Sequence, residues 1–200
     1  MAHTPYIIGV TGGIGSGKSV VAALLQLMEV PVYDCDSRAK QLMDESGALR
    51  EALVEAVGAK VYGADGKLDR RYLASYMFGD AERVATVNAI VHPAVRADFR
   101  LWAQQSGRAV VAVESAILYE AGMEADVDAV WLVHAPQEVR LQRAVQRDAS
   151  NAEAIRKRMQ SQLSEQEYLS RADKVVHNDG HHSLIEQVWG MLREILAVGC

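Results

Sequence analysis

Short runs of β-branched and apolar residues alternate along the chain with longer segments whose apolar positions recur every three or four residues. The runs are Tyr6 to Val10, Val30 to Tyr33, Ala109 to Val113, Ala129 to Val133 and Lys174 to Val176. Most are apolar on both alternations, the pattern of strands covered on both faces, and helix-period segments separate them. The pattern predicts an α/β fold with a five-stranded parallel sheet flanked by helices.

The second and third runs are separated by about 75 residues, far more than one crossover helix requires. An inserted helical subdomain accounts for the excess. "SRAKQLMDE", "GALREALVEAVG", "DRRYLASYMFGD" and "HPAVRADFRLWAQQ" each carry apolar residues at helical spacing, and "YGADGKLD" has the Asp-Gly signature of a tight turn. A second insertion, "RDASNAEAIRKRMQSQLSEQEYL", lies between the fourth and fifth strands and is charged enough to read as an exposed, mobile helix pair. One domain over 1–200 is expected, with a core of about 1–36, 107–140 and 170–200, an insert of about 37–106 and a second excursion of about 141–169.

Charge narrows the partners. With 21 Lys and Arg against 26 Asp and Glu, the net charge is −5, so coating nucleic acid or an anionic membrane surface is not the expected task. An anionic ligand has to be held locally. Two cysteines, Cys35 and Cys200, supply neither a disulfide framework nor a zinc spacing. The opening "MAHTPYIIGV" lacks the basic and apolar regions of a signal peptide, and no run approaches the roughly 20 apolar residues of a membrane span. A cytoplasmic location, with no nucleic acid or membrane partner, is the expectation.

The chemistry begins where the first strand ends. Gly12-x-x-x-x-Gly17-Lys18-Ser19 fits the phosphate-loop pattern, after a predicted strand and before a predicted helix. Residues without side chains let successive N–H groups turn toward phosphate oxygens, and a helix starting near Lys18 aims its positive end at the same anion. Lys18 is then placed to reach the β and γ phosphates, and the Ser19 hydroxyl to ligate Mg²⁺.

Two further groups qualify. Asp34 and Asp36, in "VPVYDCDSRAK", stand two apart after an apolar run, so an extended chain would place both carboxylates on one face near the crevice where ligands of open α/β sheets bind. One would accept a proton from an attacking hydroxyl and the other would hold Mg²⁺ or its waters; the alternative is that Asp36 caps a helix opening at Ser37. Arg140, Arg143 and Arg147 share one helix face at i, i+3 and i+7, suited to the charge that accumulates on a transferring phosphoryl group. Their plainer reading is a solvated face balanced by Glu138 and Asp148. The Asp-x-x-Gly and Asn-Lys-x-Asp signatures of a GTPase are absent; "HNDG" lacks the lysine.

Several stretches in order resemble the dephospho-CoA kinase family: "GVTGGIGSGKS", "VPVYDCDSRAKQL", "GKLDRRYLASYMF" followed by "NAIVHPAVR", then "LQRAVQRD", "RMQSQ" and "ADKVVHNDG". The resemblance implies a P-loop kinase with an inserted helical CoA-binding subdomain and a lid. It implies transfer of the ATP γ-phosphoryl group to the 3'-hydroxyl of dephospho-CoA, with Mg²⁺. It makes Gly13, Ile14, Gly15, Ser16, Gly17, Lys18, Ser19 and Val20 the ATP-binding stretch, with Ser19 on the metal. Asp36 becomes the base, while Lys18, Arg143 and Arg147 attend the transferring group. Asp34 becomes a metal support or acceptor contact, and His92 and Arg96 line the acceptor pocket; as a plain alternative, His92 precedes Pro93 at a helix start.

One stretch departs from the family. After the third strand the family commonly carries a Pro-Leu-Leu-type run where this chain reads "VESAILYEAG", with Glu114, Ser115 and Ala116 in its place. Glu114 is read as a water-mediated Mg²⁺ support or an outer anchor. Competing readings are a nucleoside or nucleoside monophosphate kinase of the same architecture, and a nucleotide-dependent switch that binds without transfer. A monomer or weak homo-oligomer is expected.

Overall fold

The computed structural model describes residues 4–148 and 151–198. Its strands are β1 (Tyr6–Thr11), β2 (Val32–Asp34), β3 (Val110–Glu114), β4 (Ala129–His134) and β5 (Lys174–His177). Its α-helices are α1 (Lys18–Leu27), α2 (Cys35–Glu45), α3 (Gly47–Val57), α4 (Arg70–Met77), α5 (Ala81–Gln105), α6 (Gln137–Asp148), α7 (Ala152–Gln160), α8 (Glu165–Arg171) and α9 (Leu184–Val198). The five strands form one sheet in the order β2-β3-β1-β4-β5. Ile8 of β1 lies beside Ala112 of β3 on one side and Ala129 of β4 on the other, all in parallel register, and β5 extends the ladder from β4. Each expected run therefore became a strand of a parallel sheet, with ends shifted by at most two residues.

The chain divides into two compact units, residues 1–33 with 103–200 and residues 34–102. In the first unit, Ile8, Val10, Trp131 and Val133 of the sheet pack with Val21 and Leu25 of α1 and with Val188 and Leu192 of α9. Each such side chain removed from water contributes about 1.5–3 kcal/mol, which is what near-continuous apolar strands are for. The connection from β1 to β2 runs toward one edge of the sheet, and that from β3 to β4 runs toward the other. The chain leaving the carboxyl end of β1 therefore lies at the switch point where open α/β sheets hold ligands. The charged segment after α6 is less exposed than its composition suggests. Ile155 of α7 is wholly buried with Leu141 and Ala144 of α6.

In the second unit, α2 starts at Cys35, two residues before the Ser37 start considered from sequence. Its cap is Asp34, whose carboxylate accepts from Asp36 N–H at 3.0 Å and Ser37 N–H at 3.2 Å. The strand ends at Asp34, so Asp36 lies in the first helical turn and the extended-chain alternation does not relate the two carboxylates. α5 corrects a second expectation. It runs unbroken from Ala81 to Gln105 with Pro93 inside, so His92 stands mid-helix rather than at a helix start. An interior proline removes one hydrogen bond and costs about 3 kcal/mol. The buried stripe Val87, Val91, Val95 and Phe99 runs straight past it, and its burial outweighs that loss while Pro93 faces solvent. Arg38 of α2 clamps α5 through a two-pronged pair with Asp98, at 2.8 and 3.0 Å. The expected tight turn forms at residues 63–67, where Gly63 N–H donates to Lys67 O at 2.9 Å.

Candidate active site

The loop between β1 and α1 is bent into its shape by glycines with positive φ. Gly15 and Gly17 have φ of 78° and 96°, in the region where a Cβ meets the carbonyl oxygen. Crowding adds a second reason: a Cβ at Gly15 would strike the Arg140 backbone carbonyl, and one at Gly17 the Asn178 side-chain amide. The turn closes with Ser16 N–H donating to Gly13 O at 3.1 Å.

The helix that follows is left open at its start. α2, α3, α4, α7 and α8 each begin with a side chain that accepts their first N–H groups, namely Asp34, Ser46, Asp69, Asn151 and Ser164. α1 begins at Gly17 with no side-chain cap and no acidic residue in its first turn. Unclaimed N–H groups at the positive end of a helix dipole form a site for an anion. Two hydroxyls strengthen the case, because Thr11 Oγ1 and Ser16 Oγ are buried here without a hydrogen-bond partner. Lys18 Nζ folds back to donate to Gly12 O at 2.9 Å and Gly13 O at 3.4 Å. Ser19 and Val20 lie exposed on the first turn.

Distant residues brace this loop. Asn178, just after β5, donates its side-chain amide to Ser16 O at 2.7 Å, while its own N–H donates to His134 O at 2.7 Å. Arg143 donates to the Asn178 carbonyl at 3.1 Å and lies 3.5 Å from Asn178 Oδ1. Arg140 donates from Nε to Ala135 O at 3.0 Å and presents its guanidinium to Gly13. Gln162, beyond α7, accepts from Ile14 N–H at 2.8 Å. Glu165 pairs with His134 at 2.9 Å and approaches Arg140 at 4.0 Å. Gly13, His134, Arg140, Glu165 and Tyr168 line a small pocket of about 20 Å³, room for about one water. Burial pushes the Tyr168 hydroxyl up to about 12, so it stays a neutral donor to Ala116 O at 3.4 Å.

The arginine face thus has three different sets of partners. Arg140 and Arg143 turn to the loop and its brace, whereas Arg147 is 62% exposed and pairs with Asp148 at 2.7 Å. Arg158 of α7 joins the same carboxylate at 2.8 Å. The two guanidiniums hold the Asp148 carboxyl down to about 2 and raise Arg147 in turn. Glu165, and not the Glu138 considered from sequence, faces Arg140. Glu114 ends β3 beside Val10 of β1.

Asp34, Asp36, His92 and Arg96 belong to the second unit. Asp34 is occupied with capping, and Ser37 Oγ also donates to it at 2.6 Å; Asp36 is exposed and gives the cap its N–H but not its carboxylate. His92 and Arg96 stand one turn apart on α5, both half-buried.

Sequence reasoning gave Asn178 and Gln162 no part in the loop, although both lie in the quoted "HNDG" and "RMQSQ". Arg140 was grouped only with the other arginines. No local pattern signals a carboxamide that reaches a loop 148 residues away.

Residues 6–183 match the family model for dephospho-CoA kinase. The dephospho-CoA kinase of Bacteroides fragilis strain YCH46 is 43% identical over 182 residues, covering 90% of this chain and 88% of that protein. A crystal structure of a Thermus thermophilus protein superposes with a TM-score of 0.81 at 36% identity, covering 98% of each chain. The dephospho-CoA kinase from Campylobacter jejuni has the same fold, with a TM-score of 0.70 at 24% identity over 97% of this chain and 98% of that one. Fold and loop together define a P-loop kinase. Within that class the chain belongs to the dephospho-CoA kinase family.

Proposed function

We propose that this protein transfers the γ-phosphoryl group of ATP to the 3'-hydroxyl of dephospho-CoA, giving CoA. The observation that carries the reading is the uncapped start of α1 behind a glycine-bent loop, in a chain that matches the dephospho-CoA kinase family from residue 6 to residue 183. The stretch from Gly13 to Val20 binds the triphosphate through main-chain N–H groups other than those of Ile14, Ser16 and Val20, which donate within the fold. Lys18 moves from the loop carbonyls to the β and γ oxygens, where its charge offsets what develops in transfer.

The residues present fit Mg²⁺: a magnesium ion takes oxygen donors, and the exposed Ser19 hydroxyl stands at the open helix start. Mg²⁺ bound there would neutralise charge on the β and γ phosphates. The Asp36 carboxylate, free of the cap, takes the proton of the attacking hydroxyl. Asp34 orders the turn that presents Asp36 and contacts the acceptor. His92 and Arg96 line the acceptor pocket, with Arg96 toward its anionic part. Arg143 and Arg147 stabilise the transferring group from a lid of about 141–169, and residues of about 37–106 serve as the CoA-binding subdomain. The exposed helices and the net charge of −5 suit a cytoplasmic monomer or weak homo-oligomer. Among the described residues, no helix is long and apolar enough to cross a membrane.

The test is a coupled assay with ATP, Mg²⁺ and a panel of acceptors. Turnover with dephospho-CoA and none with AMP or adenosine supports the reading; the reverse pattern overturns it.

A further inference from the structure

Ile14, at the tip of the phosphate loop, is held twice by residues far along the chain. Its N–H donates to Gln162 Oε1 at 2.8 Å. Its side chain packs against the cluster of Leu141, Ala144 and Ile155, with Met159 beside it. Gln162 is itself fixed to the end of α7, because its N–H donates to Met159 O at 3.2 Å. A Cβ on Gly13 would reach Gln162 Oε1 at 3.5 Å, so the carboxamide lies directly over the Gly13–Ile14 peptide. One polar contact and one apolar contact therefore tie the same loop residue to α7.

We propose that Gln162 is a positioning residue for phosphoryl transfer: its carboxamide orients the Gly13–Ile14 peptide and makes the shape of the phosphate loop depend on where α7 lies. The inference rests on the reading of this loop as the triphosphate site and adds the element that sets its geometry. If α7 lifts, the Ile14 N–H loses its acceptor and the loop relaxes; when α7 docks, the Ile14 N–H is held on Gln162 and the loop's remaining N–H groups keep their orientation toward phosphate. The choice of glutamine follows from charge. A neutral carboxamide oxygen accepts the hydrogen bond, whereas a carboxylate in its place would accept it too but set a negative charge beside the triphosphate.

The test combines amide hydrogen exchange at Ile14 with ADP binding and steady-state kinetics. Relative to the unaltered protein, Gln162→Ala should exchange the Ile14 amide about ten-fold faster and raise KM for ATP about ten-fold, with KM for dephospho-CoA changed less than about two-fold. Gln162→Glu should keep the Ile14 protection but weaken ADP binding, by a factor that shrinks as salt is added. A merely structural glutamine would lower Tm in Gln162→Ala and leave ADP binding unchanged in both variants, and that result overturns the proposal. So does equal Ile14 exchange in the unaltered protein and Gln162→Ala. If Gln162→Ala does not fold, Gln162→Glu decides alone, through its ADP affinity. A protein that binds ADP and shows the Ile14 effects without phosphorylating dephospho-CoA would sink the substrate assignment and leave this inference standing.

Discussion

The side-chain amide of Asn178 donates to the carbonyl of Ser16 at 2.7 Å, joining the end of β5 to the middle of the phosphate loop across 162 residues of sequence. Asn178 also receives Arg143, so one residue connects the loop to α6. Unsupported, the loop would have to be ordered by the nucleotide, at a cost in affinity.

Replacing Asn178 by alanine should therefore weaken ATP binding by about ten- to a hundred-fold, the range expected when a part-buried hydrogen-bonded carbonyl loses its donor. Asn178→Asp should be no better, because a carboxylate cannot donate to Ser16 O. Calorimetric titration with ADP measures both; an aspartate variant with native affinity would mean the Ser16 contact contributes nothing.

The glycines should rank by what surrounds them. Gly15→Ala forces a side chain into left-handed backbone, at about 1–2 kcal/mol, and drives its Cβ into the Arg140 main chain. Gly13→Ala meets side-chain ends alone, the Arg140 guanidinium and, at ordinary contact distance, Gln162 Oε1. The kcat/KM for ATP should fall much further for Gly15→Ala than for Gly13→Ala, and equal losses would show that the backbone of α6 yields as easily as a side chain.

Asp36→Asn keeps the shape of the first turn of α2 and leaves its cap on Asp34 untouched. Its kcat should drop by about a hundred-fold or more with KM for ATP little changed, as removal of a general base requires. Native kcat in a stopped-flow or coupled assay would remove Asp36 from proton transfer.

Asp148 ties α6 to α7 through Arg158 and also pairs with its own neighbour Arg147, and its carboxyl is held below the ordinary 3.8, at about 2. A lowered carboxyl contributes stability that is fully present above its ordinary range and lost as pH falls through the folded-state value. The Tm difference between the unaltered protein and Asp148→Asn should thus be constant above about pH 5, fall below that, and be mostly lost by about pH 2. Thermal unfolding followed by circular dichroism across that range checks it; a difference that persists undiminished to pH 2 would mean the ion pairs do not link α6 and α7.

How much of this was legible in the sequence depended on distance along the chain. Tyr6 to Val10, Gly12 to Ser19 and the apolar runs of β3 and β4 carry their structure locally, through strand composition, glycine and helix period. The carboxylates Asp34 and Asp36 were visible, but their relation was misread because a strand that ends one residue later, and a helix that starts at once, convert an alternating pair into a cap and a first-turn residue. Pro93 suggested a helix start, since the rule against interior proline is local while the stripe from Val87 to Phe99 that overrides it is tertiary. Asn178, Gln162 and Arg140 were illegible as braces for the same reason: each acts on a loop that only the folded sheet brings within reach.

The most direct test of the central claim is transfer of label from γ-³²P ATP to dephospho-CoA by the unaltered protein and by Lys18→Ala, with the labelled position mapped on the product. The account predicts label on the 3' position of the ribose, and a loss of about a thousand-fold or more in rate for Lys18→Ala with an unchanged circular dichroism spectrum. Label released only as inorganic phosphate, or native transfer by Lys18→Ala, would contradict it.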